Sequence, residues 1–133
     1  MTEAGGARRF EPRPRSDTNR RVRTDAQNIR DELERILHRC DSVSEEGRES
    51  FGEGAPHYDV ASMVVIRLAA LLERPEFAPL AERLTAEEIT AIKATRNIAA
   101  HAGYVGMNDD LFWAAVTARI PEIVHRLLDR RSP

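Results

Sequence analysis

Arg96, Asn97 and His101 sit near the end of one helical pattern, within the stretch KATRNIAAHAGY at residues 93–104. Their side chains have no obvious work in an apolar core. Histidine is the side chain type whose charge switches near neutral pH unaided, which suits proton transfer. An arginine supplies a permanent cation with a planar fork of donors, which suits an oxyanion or phosphate. An asparagine beside them can orient either group. The chemistry on offer is therefore acid–base work next to a fixed positive charge.

Whether these groups cooperate depends on the helix that carries them. At about 100° per residue, Ile92, Thr95, Ile98, Ala99, Ala91 and Ala102 fall within roughly one third of the circumference, the width of a core-facing stripe. Asn97 and His101, four apart, stack on the face opposite that stripe. Arg96 lies at its border, beside Ile92. Five positions separate Arg96 from His101, about 140° on a regular helix. Curling of the arginine, loosening near Gly103, or a second copy across a two-fold axis would bring them together. A polar face that is not self-contained favours the third route. On spacing alone, an ordinary solvated surface also accounts for the pattern.

The elements that must position this stretch are helical. The 133 residues are one domain's worth of chain, 41% hydrophobic and 32% charged, as in a water-soluble globular protein. A net charge of −2 gives no global drive toward nucleic acid, so any such binding must be local. Cys40 is the single cysteine, which excludes an internal disulfide and a multi-cysteine metal site and fits a reducing, cytoplasmic setting. No apolar run approaches a membrane span and no secretory segment precedes the first helix.

Residues 1–17 read as a flexible arginine- and proline-rich arm, and residues 18–131 as a helical domain. Arg8 and Arg9 in the arm, like Lys93 in the central stretch, are candidate contacts for a phosphate backbone; a solubilising tail is the simpler reading of the arm. From Thr18 to Cys40, apolar positions at Val22, Ala26, Ile29, Leu33, Ile36 and Cys40 predict an amphipathic helix with Cys40 packed inside. Residues 41–56 read as a loop by composition. Asp59 is placed to cap the next helix, which is apolar nearly all round from Val60 to Leu72 and should be central. Its one charge, Arg67, should reach solvent or an interface.

Residues 74–84 form a proline-containing connector with a short helical turn. Thr85 and Glu88 then make a capping box for the helix that carries the central stretch. Asn108 or Asp109 caps a last helix reaching about Asp129, with a kink at Pro121. Strand patterns, internal repeats, Gly-rich phosphate loops and paired-histidine metal motifs are lacking, so no metal or cofactor is called for. The expected fold is all-α, a four-helix up-and-down-type bundle with a short connector turn.

The segments RNIAAHAGY and LFWAAVTARIPEIVHRLL resemble the HepT-like toxins of the HEPN superfamily. The matching residues are Arg96, Asn97, His101, Tyr104, Trp113, Ile120 and Pro121, within roughly the C-terminal third of the chain. The resemblance implies a HEPN-like homodimer and a metal-independent endoribonuclease, the toxin of a type VII-like toxin–antitoxin system. Arg96, Asn97 and His101 would be catalytic. RNA would be cut by attack of its own 2′-hydroxyl, which spares DNA. The implied partner is an MNT-type nucleotidyltransferase antitoxin that silences the toxin by adding AMP to Tyr104. The chain departs from the family in having two residues between His101 and Tyr104 rather than one. It also lacks a Gly-Glu pair on the second helix, where Arg67 lies nearby. A catalytically silent helical dimer that binds the nucleotidyltransferase or RNA is the alternative, and a regulator using the basic arm is a third reading.

Overall fold

The computed structural model describes residues 15–101 and 105–129. Five α-helices make up the described chain: α1 (Arg15–Glu46), α2 (Pro56–Leu72), α3 (Ala86–His101), α4 (Asp109–Ala114) and α5 (Ile120–Leu128). Two 3-10 helices, Arg48–Ser50 and Pro75–Arg83, lie between α1 and α2 and between α2 and α3. There is no strand among the described residues, and none of their helices is long and apolar enough to cross a membrane.

Helix α1 is longer than its composition suggests at both ends. Asp41 and Ser42 do not open a loop, because Val43 continues the stripe of Ile29, Leu33, Ile36 and Cys40 and is fully buried. The helix stops only at Gly47, whose φ of +86° suits a residue without Cβ. At the other end Ala26 is exposed, and Ile29 is the first buried residue among the described side chains. Cys40 is a packed thiol, as its place on the stripe predicts. Burial, with a smaller effect of neighbouring Asp41, pushes its pKa to about 12.

Helix α2 starts at Pro56, with Ala55 as N-cap; Asp59 therefore lies inside the first turn and does not cap. Proline serves at the start of a helix because its missing N–H would have no partner there. Tyr58, Ala61, Val64, Val65, Leu68, Ala69 and Leu71 are all buried, so α2 occupies the middle of the core, packed against both α1 and α3. Arg67 is half-exposed and sends Nη1 to Glu32 of α1 at 3.3 Å.

The final pattern is one continuous run of helix broken by a π turn. The Asn108 side chain accepts from the Leu111 N–H and caps α4. Pro121 has no N–H to donate, and its ring would crowd the carbonyl four residues back. The backbone answers with a π turn over Ala115–Arg119, where the Ile120 N–H donates to the Ala115 carbonyl. The expected kink takes this form.

At one end of the core, Phe51 packs against Tyr58, Phe112 and Trp113, with ring centroids 5.0, 5.4 and 5.2 Å away. The Tyr58 hydroxyl donates to Asp109 at 2.9 Å, and Arg48 bonds both Asp110 and the Phe51 carbonyl. The loop between α1 and α2 is thereby fastened to the start of α4.

Candidate functional site

The start of α3 is fixed by the capping box. The Glu88 N–H donates to the Thr85 hydroxyl at 3.0 Å, and the Thr85 N–H donates to Glu88 Oε1 at 2.9 Å. The same carboxylate receives two bonds from Arg126 of α5, at 2.8 and 3.1 Å. These Arg126 bonds, ahead of the Thr85 N–H bond, hold the Glu88 carboxyl below its ordinary pKa, and the Arg126 pKa is raised in return. Arg83 donates in turn to the Arg126 and Leu127 carbonyls. One end of α3 is thus tied to the end of α5.

The rest of α3 is held less deeply. Ile92 is its one buried residue; Thr95, Ile98 and Ala99 are half-buried and Ala91 is exposed. The stripe drawn from spacing is therefore placed correctly around Ile92 but is only partly covered. Beside it, between α3 and the α4–α5 run, lies a groove of about 250 Å³. Val65, Ile92, Ile120 and Ile123 line it, and Leu111, 71% exposed, stands at it. No local sequence signal marks this groove, because it is set by the distance between two helices.

Asn97 and His101 are exposed, on the face opposite Ile92, and Arg96 and Lys93 are half-buried. Arg96 Nε donates to Asn97 Oδ1 at 2.9 Å, and its Nη1 lies 3.8 Å from Glu73 Oε2 at the end of α2. The Arg96 side chain is 24% exposed and is held from two sides. Glu73 is a partner that sequence spacing did not single out. Helical geometry persists to His101, so Arg96 and His101 keep their separation of five positions and do not bond within one chain. Among the described residues, the His101 side chain has no hydrogen bond or ion pair. Tyr104, Arg8 and Arg9 lie outside the described residues, as do Ala102 and Gly103.

His125 is exposed. His57 approaches Glu46 at 3.8 Å and no nucleophile. Among the described residues no three His, Cys, Asp or Glu side chains are grouped to hold a metal ion. What the α3 arrangement offers is a half-buried, oriented cation with an exposed imidazole one turn further along. Comparison with family models, with curated proteins and with solved structures returned no match to this chain.

Proposed function

We propose that this chain is a HepT-like toxin: a metal-independent endoribonuclease that works as a homodimer of HEPN-like four-helix bundles. The observation that carries the reading is Arg96, partly exposed and held by Asn97 and Glu73, on the same terminal turns as the exposed His101. The motif resemblance supplies the reaction. In it, His101 takes the proton of a 2′-hydroxyl as the 2′-oxygen attacks the adjoining phosphorus. The bond from phosphorus to the 5′-oxygen breaks, a proton goes to that leaving oxygen, and a 2′,3′-cyclic phosphate remains. Arg96 neutralises the charge on the phosphoryl oxygens, and Asn97 keeps its guanidinium in place. A second copy across a two-fold axis completes the site, since one helix keeps Arg96 and His101 about 140° apart.

Control comes from an MNT-type nucleotidyltransferase. The Tyr104 hydroxyl attacks the α-phosphorus of ATP, pyrophosphate leaves, and the AMP added brings bulk and negative charge beside the site. The test is cleavage of a mixed RNA pool with EDTA present. Wild type cuts, and folded Arg96→Ala and His101→Ala variants lose about 10²-fold or more, the scale of a lost acid–base group. Cutting by both variants at the wild-type rate would sink the assignment.

A catalytically silent binding dimer is the second reading, since among the described residues no hydrogen bond or ion pair holds the His101 side chain. It predicts an inactive, unmodified wild type whose partner binding survives either alanine substitution.

A further inference from the structure

The first turns of α1 are unlike the rest of the molecule in charge and in packing. Residues 1–23 hold seven arginines against three acidic side chains, although the whole chain carries a net −2, so the remainder is strongly acidic. Helix α1 is continuous from Arg15; among its described side chains Asn19, Arg20, Arg23, Gln27 and Asn28 are all exposed, and Ile29 is the first that is buried. A polar helix of this length is only marginally stable by itself in water. Here it is propagated from the packed part of α1, with the Thr24 hydroxyl bonded to the Arg20 carbonyl.

This basic projection leaves the core on the side of the molecule that holds Arg96. Arg96 pairs with Glu73, and two residues further on Pro75 lines a cleft together with Asp25 and Ala26 of α1. At about 100° per residue, Arg20, Arg23 and Gln27 lie on one face of α1, roughly 140° away from the Asp25–Ala26 side that meets Pro75. Both arginines are exposed, at the end of the bundle where the candidate phosphate-binding arginine sits.

We infer that the projecting start of α1, through Arg20 and Arg23, is a second contact site for single-stranded RNA. It holds backbone phosphates that flank the segment engaged by Arg96 and His101. This rests on RNA being the substrate and adds where the strand runs. The chemistry is that of counterion release: exposed guanidiniums replace condensed cations along the phosphate backbone, with no base preference. In a chain with net negative charge, such a local patch is what attracts a polyanion.

The test measures binding of a fluorescent, cleavage-resistant 2′-O-methyl RNA oligonucleotide across a salt series. The proteins are wild type, the Arg20→Gln/Arg23→Gln double variant, Arg96→Ala, and an Arg35→Gln/Arg119→Gln control that removes the same charge elsewhere. The expected result is a salt slope shallower by about 1.4 for the double variant, at about 0.7 per single-strand phosphate contact, with the control unchanged. On a long RNA the double variant should raise KM and leave kcat alone. An unchanged slope, or an equal loss in the control, overturns the inference. If Arg96→Ala still weakens binding in that case, RNA as the substrate class survives. Wild type that binds no RNA overturns both, and loss of an acidic protein partner with RNA binding intact overturns the inference alone.

Discussion

The start of α4 and the helix α3 are secured in opposite ways. At the start of α4, Phe112 is buried among Phe51, Tyr58 and Trp113, and two acidic side chains are taken up by Tyr58 and Arg48. One residue earlier, Leu111 faces the open groove at 71% exposure. Across that groove α3 is tied at its first turn by Glu88 and Arg126, and then offers buried Ile92 and partly buried Ile89 to the core. The locked end spends its side chains on packing. The loosely covered helix keeps Asn97 and His101 exposed and Arg96 half-open. Elements with few buried contacts open locally at low cost, which suits groups that must meet a ligand or a second chain.

The contrast can be broken most sharply at the aromatic cluster. Phe112→Ala should cost about 3–5 kcal/mol, the range for removing a buried aromatic ring, read from the midpoint of urea unfolding at unchanged m-value. Glu88→Ala comes next, because it removes the capping box and both Arg126 bonds; a loss of roughly 1–3 kcal/mol is expected.

The Glu88 interaction also carries a pH signature. Its folded-state pKa lies below the unfolded value, so its stabilisation is fully present above about pH 4.3 and is lost as pH falls through the folded pKa. Glu88→Gln should therefore flatten the acid limb of a stability–pH curve; an unaltered limb would remove this carboxylate from the explanation. Tyr58→Phe sharpens the comparison at smaller scale, with about 0.5–1.5 kcal/mol expected for the hydrogen bond to Asp109. Leu111→Ala should move stability by less than about 0.5 kcal/mol, as for an exposed site. A larger drop at Leu111 would mean that the groove is covered in solution.

Much of the secondary structure was legible from local rules. Thr85 and Glu88 announced a capping box, Asn108 a cap, and Pro121 a break in the helical ladder, because each acts through bonds to residues within four positions. Cys40 was legible as core from its place on a stripe. Composition misled at Asp41–Glu46, where one buried residue, Val43, outweighs serine and acidic neighbours. Asp59 suited a cap by type, but Pro56 had already begun the helix.

The sequence by itself determined an all-helical chain, the order of its helices, and a helix face shared by Asn97 and His101, because helical period and caps are local properties of the backbone. The tertiary structure alone decided the long-range pairs: Glu73 with Arg96, Glu32 with Arg67, Glu88 with Arg126. It also decided that Ile92 would be the one fully buried residue of α3, and that Arg20 and Arg23 of α1 would be exposed. Burial and charge pairing depend on which helices come to lie side by side, and no spacing along a single helix contains that distance.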